Sequence, residues 1–267
     1  MEALSHLPRS SPVTKSEDDE NTLNIWGREE SPFISLPILP LKELKLGQYG
    51  SSDERWGIHS CVWDGGVGAL AFFAGGLAGQ LPSPPRPPPL LLDIGSGTGV
   101  VGLGLAFLGY RSIVTDLPEA LPLLEENIAL NNAEVEAAGR MTAMELSWGA
   151  AAGVSEALRA ELQAAESVVF MGADVVYKPY LFTPLIETLL LLFELRPDAE
   201  CWIANQSMRT YFRDFLALSN AAGIEAAHVK NVRVPEGGLD PGECAVEEAS
   251  ECREPGLIQM FRIRRIT

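Results

Sequence analysis

Several kinds of residue are scarce in this chain, and each scarcity disfavours a class of protein. Only 20 Lys and Arg stand against 36 Asp and Glu, so the net charge of −16 argues against a nucleic-acid partner, which needs a basic surface. No apolar run approaches the ~20 residues that span a bilayer, and no signal-peptide core is seen. We therefore expect a soluble cytoplasmic protein with no membrane partner, and the nucleus stays open as a second location.

Cysteine and histidine are also few. The four cysteines and three histidines show neither a CxxC pair nor a zinc spacing, so we predict no metal site and expect free thiols. Cys244 and Cys252 share one polar loop, which leaves a disulfide between them as an alternative.

The pattern along the chain predicts one α/β domain with an N-terminal extension. Residues 1–22 are polar and predicted to be disordered, residues 23–60 form an extension with short β-compatible pieces such as 32–36, and the main domain covers 61–267. A helix ending near residue 80 and a proline-rich connector at 82–89 lead into alternating strands and helices, which indicates a doubly wound parallel sheet. The strands are predicted at 90–94, 112–115, 141–146, 168–171, 201–204, 226–234 and 257–265. The last of them follows its predecessor without a crossover helix, so this pair should be antiparallel.

One glycine-rich turn indicates how a nucleotide cofactor is held. The strand-like run 90–94 is followed by glycines at 95, 97 and 99 and then by a helix-like apolar run. Glycine has no Cβ, so the chain can turn sharply and present backbone N–H groups at a helix N-terminus. The turn predicts a cofactor cradle, although a tight turn whose glycines serve only packing is an alternative.

Two acidic residues decide which cofactor we expect in this cradle. The pattern GxGxxG at 97–102 fits a dinucleotide site, and Asp116 follows the start of this pattern by ~20 residues, as a ribose-binding acid does. Asp93, however, ends the strand two residues before Gly95, where a carboxylate would repel a pyrophosphate. S-adenosylmethionine has no phosphate, an ammonium group for Asp93 to hold directly or through water, and ribose hydroxyls for Asp116. These residues favour S-adenosylmethionine.

Four local signatures resemble the seven-β-strand methyltransferases, and more narrowly the protein lysine methyltransferases of the methyltransferase-16 family. They are Val62-Trp63, the run from Asp93 to Leu103, the run from Val114 to Ile128, and Leu146-Ser-Trp-Gly149 together with Gly172-Ala-Asp-Val-Val-Tyr177. The resemblance implies a seven-stranded Rossmann-like sheet with an antiparallel last strand. One departure is Ser147, where the family often has an aspartate.

The resemblance also implies roles for individual residues. Trp63 would close over the cofactor, Gly95 to Gly97 would line its methionine end, and Trp148 would flank its adenine. The glycine-rich turn and the resemblance together predict ten cofactor-binding residues. They are Trp63, Asp93, Gly95, Ser96, Gly97, Gly99, Asp116, Leu117, Trp148 and Ala173.

The element Asp174-x-x-Tyr177 is similar to the family's acidic signature after the fourth strand, where open α/β sheets bind substrates. It differs from the Asn/Asp-Pro-Pro-Tyr of enzymes that methylate DNA or RNA bases. We predict that Asp174 anchors a substrate lysine and Tyr177 excludes water, in a monomer that methylates a protein with an accessible lysine. In the alternative, Asp174 caps the following helix and Tyr177 packs. A methyltransferase for small molecules or other residues, and a non-catalytic interaction protein that keeps the cofactor pocket, also stay open.

Overall fold

The computed structural model describes residues 32–39, 42–48, 57–74, 88–131 and 141–266. Its strands are β1 (Phe33–Leu39), β2 (Lys42–Gly47), β3 (Leu90–Ile94), β4 (Arg111–Asp116), β5 (Met141–Glu145), β6 (Val168–Ala173), β7 (Glu200–Gln206), β8 (Ile224–Arg233), β9 (Ala245–Glu248) and β10 (Leu257–Arg265). Its helices are α1 (Asp64–Phe73), α2 (Val100–Phe107), α3 (Leu121–Leu130), α4 (Glu156–Ala164), α5 (Phe182–Leu195) and α6 (Phe212–Ala221). The tail predicted at 1–22 and most of the predicted connector at 82–89 lie outside the described residues.

The main sheet has the strand order β5-β4-β3-β6-β7-β10-β8-β9. The first five strands in this order are parallel. All five residues of β3 are buried, as expected for a parallel strand covered on both faces. The chain order reverses at β3, because β4 and β5 lie on one side of it and β6 and β7 on the other. A crevice for ligands therefore opens at the carboxyl ends of β3 and β6, and the predicted doubly wound α/β fold is confirmed.

The C-terminal strands confirm one expectation and correct another. β10 pairs antiparallel with both β7 and β8, as predicted for the last strand. The sheet nevertheless has eight strands rather than the seven predicted, because β9 adds to β8 at the edge. This strand is mostly exposed, and Arg233 Nε bonds Glu247 Oε1 at 2.8 Å across the pair, beside the ion pair of Lys230 with Glu248. A charged edge strand has no apolar alternation from which it could be predicted.

The N-terminal extension contributes a hairpin that joins the core. β1 and β2 pair antiparallel, and their inward-facing aliphatic residues pack in the same cluster as α1 and α2. Asn127 of α3 ties the hairpin to the glycine-rich turn. Its side chain accepts from Gly47 N at 2.6 Å and donates to Gly47 O and to Thr98 O, at 3.1 and 2.9 Å. The hairpin is therefore bound to the glycine-rich turn, where the cofactor cradle is predicted.

The helices and cysteines bear on three further expectations. α1 covers Asp64–Phe73 with Ala74 as its cap, and the predicted helix end near residue 80 lies outside the described residues. None of the helices in the described ranges combines the length and hydropathy needed to cross a membrane. None of the four cysteines forms a disulfide, so the alternative of a disulfide between Cys244 and Cys252 is wrong.

Candidate active site

The glycine-rich turn between β3 and α2 forms the floor of a cavity. Gly95 and Gly97 have φ values of +65° and +57°, a region that side chains other than glycine disfavour. A Cβ at Gly95 would lie 2.8 Å from Trp148 Cζ2, and a Cβ at Gly97 would lie 2.9 Å from the carbonyl oxygen of His59. Both positions therefore require glycine, and the turn exposes bare backbone to the cavity.

Asp116 stands at the carboxyl end of β4 and is tied to this turn. Its Oδ2 accepts from Gly97 N and its Oδ1 from Leu117 N, both at 2.8 Å. Each carboxylate oxygen keeps lone pairs for a further donor. Burial raises the pKa of Asp116, while the two backbone donors and the neighbouring His59 ring oppose that rise. The carboxylate is thus held in one orientation at the cavity wall.

Asp93 lies deeper, at the end of β3. It is only 1% exposed, and its Oδ2 accepts from Gly102 N of α2 at 3.1 Å. Burial raises the pKa of this carboxyl to about 7. Asp93 therefore lines the cavity and also supports the first turn of α2, and its pKa lies close to neutral pH.

Asp174 occupies an unusual position after β6. Its φ of +54° is the one positive value among the non-glycine residues that the structure describes, and backbone strain of this kind concentrates at functional sites. It is 8% exposed. Its carboxylate accepts from Gly65 N at 2.8 Å and from Gln206 N and Gln206 Nε2 at 3.3 and 3.2 Å. The alternative that Asp174 caps the next helix is wrong, since the caps there are Lys178 and Leu181.

Tyr177 lies three residues further along the same loop. Burial raises the pKa of its phenol to about 12, an effect that the Arg209 guanidinium partly opposes. The hydroxyl therefore keeps its proton at neutral pH and can donate a hydrogen bond.

These elements enclose a cavity of about 250 Å³. Nine of the ten predicted cofactor-binding residues line it, together with both predicted substrate residues: Trp63, Asp93, Gly95, Ser96, Gly97, Asp116, Leu117, Trp148, Ala173, Asp174 and Tyr177. Gly99 is the exception. It begins α2 at φ +83°, and a Cβ there would lie 3.0 Å from Leu124 and 3.2 Å from Leu103. Its role is close packing, as the alternative reading of the turn supposed for all the glycines.

The cavity also contains residues that the sequence analysis missed. His59 and Arg209 line it, and Gly65 and Gln206 hold the Asp174 carboxylate. They belong to no recognisable motif. Folding brings them to the site from the segment before α1, from the first turn of α1, and from the end of β7 and the residues just after it. Gly65 and Gln206 donate the hydrogen bonds that hold the strained Asp174 in place.

Comparisons with known proteins identify the family of the chain. A profile of the methyltransferase-16 family, described as lysine methyltransferase, matches residues 42–220. The chain is 28% identical over 183 residues to EEF1A lysine methyltransferase 3 of Mus musculus, covering 65% of this chain and 68% of that protein. It is 32% identical over 142 residues to protein N-lysine methyltransferase METTL21A of Danio rerio, covering 51% and 56%. A solved S-adenosylmethionine-dependent methyltransferase from Agrobacterium tumefaciens aligns with a TM-score of 0.48 and 15% identity, covering 89% of this chain and 71% of that one.

Proposed function

This chain belongs to the methyltransferase-16 family and is a protein-lysine N-methyltransferase, and we propose that the cavity at Gly95–Gly97 binds its cofactor while Asp174 receives the lysine. The family is S-adenosylmethionine-dependent, so the reaction class follows from membership. The residues that carry out the reaction, and the substrate, are inferred from the site.

The cavity suits S-adenosylmethionine for three reasons. The two positive-φ glycines leave room for the methionine part beside bare backbone, and the Trp148 ring edge near Gly95 offers an apolar wall for a planar base. The Asp116 carboxylate, already oriented by Gly97 and Leu117, can accept from ribose hydroxyls. When bound, this cofactor supplies a methyl group on a sulfonium, which a neutral amine accepts by in-line displacement.

The Asp174 carboxylate is the observation that carries the proposed lysine site. Three donors from Gly65 and Gln206 hold it at the cavity wall, so it needs little reorganisation when a substrate arrives. A lysine ammonium has a reference pKa near ~10.4 and no lone pair, so the site must first attract the cation and then favour its neutral form. Asp174 can do the first by charge. The half-buried Tyr177 and the apolar walls favour the second, because they exclude water from the amine.

The substrate class follows from charge and from the relatives. A net charge of −16 steers a basic protein segment toward the chain and disfavours nucleic acid. One relative is named for its action on EEF1A, so this elongation factor is the first substrate that we propose to test. The target lysine should lie in a segment that can extend into the cavity beside Asp174.

The test is transfer of label from S-adenosylmethionine to purified EEF1A and to a cell extract. Wild type should label protein on lysine, and Asp174→Asn should reduce the rate roughly a hundredfold or more, because the amine loses its charged anchor. Asp214→Asn, which changes an exposed acid on α6, is the matched control and should keep the wild-type rate. Label on nucleic acid or on small molecules, with none on protein, would contradict the proposal.

Calorimetry with S-adenosylhomocysteine separates an enzyme from a non-catalytic relative. Binding without label transfer to any acceptor in the extract would favour the interaction protein. An absence of binding would remove the proposed cofactor site itself.

A further inference from the structure

His59 is a polar cavity residue to which the proposed reaction assigns no role. It lies in the short 3-10 turn Ile58–Ser60 and is one of the residues that line the cavity. Its Nε2 atom is buried and has no hydrogen-bond partner within the part of the chain that the structure describes. An unpaired buried polar atom is unfavourable for the folded state. A ligand group in the cavity would supply the missing partner once the ring turns toward it.

The surroundings of His59 indicate which part of a ligand it meets. Its carbonyl oxygen lies against Gly97, since a Cβ there would come within 2.9 Å of it. Gly97 N in turn donates to Asp116 Oδ2 at 2.8 Å. Burial raises the pKa of Asp116, and the charge of the His59 ring is among the influences that oppose that rise. His59 and Asp116 therefore serve the same region of the cavity, on either side of Gly97.

We propose that His59 Nε2 binds a ribose hydroxyl of the cofactor beside Asp116. This inference rests on the proposed function, because it assumes that S-adenosylmethionine occupies the cavity. A carboxylate only accepts hydrogen bonds, whereas a hydroxyl both donates and accepts. A ribose hydroxyl can therefore donate to the Asp116 carboxylate. A hydroxyl of the same ribose can donate to the imidazole or accept from it, whichever tautomer of His59 is present.

The segment that carries His59 is held in place before any ligand binds. Ser60 Oγ donates to Gly57 O at 2.7 Å, and Trp63 Nε1 donates to Ile58 O at 2.9 Å. Val62 N donates to Gln48 Oε1 at 3.2 Å, which ties the segment to the end of β2. The backbone that carries the imidazole is therefore preorganised, and little ordering of this segment opposes the contribution of His59 to binding.

A thermodynamic cycle tests this contact without measuring turnover. Calorimetry would compare S-adenosylhomocysteine with its 2′-deoxy and 3′-deoxy analogues on wild type and on His59→Leu. We expect His59→Leu to weaken S-adenosylhomocysteine roughly tenfold, the size of one hydrogen bond. With the analogue that lacks the hydroxyl held by His59, wild type and variant should bind equally. His59→Asn keeps a polar group on a shorter side chain, and its difference in affinity from wild type should likewise vanish with that analogue.

The thermal midpoint of the free protein separates binding from structure. His59→Leu removes an unpaired buried atom, so its midpoint should equal or exceed that of wild type. The matched control is His228→Leu. The His228 Nε2 atom is paired with Asn231 Oδ1 at 2.8 Å and its ring stacks on Phe261, so this variant should lose stability and keep its affinity.

Three outcomes would overturn the inference or the function beneath it. Equal affinity of wild type and His59→Leu for S-adenosylhomocysteine contradicts the His59 contact. An unchanged tenfold loss with both deoxy analogues shows that His59 acts elsewhere than on the ribose. Failure of wild type to bind S-adenosylhomocysteine contradicts the proposed function itself.

Discussion

The contact between Gly65 and Asp174 makes the substitution Gly65→Ala a sharp test of the proposed lysine site. Gly65 N donates to Asp174 Oδ2 at 2.8 Å. A Cβ on Gly65 would lie 2.3 Å from that oxygen and 2.5 Å from Asp174 Cγ. One added methyl group therefore occupies the place of the carboxylate, although residue 65 need not itself touch a substrate.

The size of the effect follows from these distances. An ordinary contact between a methyl carbon and its neighbour is ~3.5 Å, so the carboxylate must move by roughly 1 Å or rotate away. A misplacement of about 1 Å at a reacting centre can reduce a rate ~100-fold. The effect on folding is smaller, because alanine is favoured over glycine in a helix by up to ~1 kcal/mol, which partly offsets the clash. We expect kcat to fall about a hundredfold while S-adenosylhomocysteine affinity stays within about threefold of wild type.

The assay is the initial rate of label transfer to protein, with calorimetry and a thermal melt on the same preparation. Gly68→Ala is the matched control in the same helix, because its Cβ would meet Ile258 rather than Asp174. That variant should lose stability without a comparable loss of kcat. A wild-type rate in folded Gly65→Ala would refute the positioning of the amine by Asp174.

Three further predictions concern the rest of the chain. Burial raises the pKa of Asp93 from its ordinary 3.8 to about 7, so the folded state holds this proton more tightly than the unfolded one. The stability of wild type relative to Asp93→Asn should therefore be greatest at acid pH and fall as the pH rises toward 7, measured as urea midpoints; a difference independent of pH would contradict this. Asn127→Ala should lower the free energy of unfolding by about 2–4 kcal/mol, because it leaves Gly47 N and Thr98 O unpaired, whereas the neighbouring exposed Glu126→Ala should change it by less than about 0.5 kcal/mol. Of the four cysteines only Cys252 is exposed, so a thiol reagent should modify one cysteine in the native protein and all four after denaturation. Fast reaction of a second cysteine in the native protein would count against the fold.

The sequence predicted the sheet well wherever local pattern and burial coincide. β3 was predicted with its observed bounds because four of its five residues are apolar and a glycine turn follows it. The antiparallel last strand followed from the absence of a helix before it. β9 could not be predicted, because a four-residue charged strand is stabilised by its neighbour and not by its own pattern.

The candidate site likewise combines features that local sequence predicts with contacts that it does not. The glycine-rich turn at 95–102 and the acids Asp93 and Asp116 are local features of the sequence, so their place at one cavity could be predicted from residue types and spacing alone. The hydrogen bond from Gly65 to Asp174 joins residues 109 positions apart, and no periodicity records such a contact. His59 and Arg209 likewise reach the cavity only because the chain packs α1 and the end of β7 around it. The sequence by itself determined the parallel strands, the glycine-rich turn and the two acids beside it. Tertiary structure alone decided which distant side chains orient Asp174 and line the cavity, because such contacts depend on packing between elements and not on the order of residues within one.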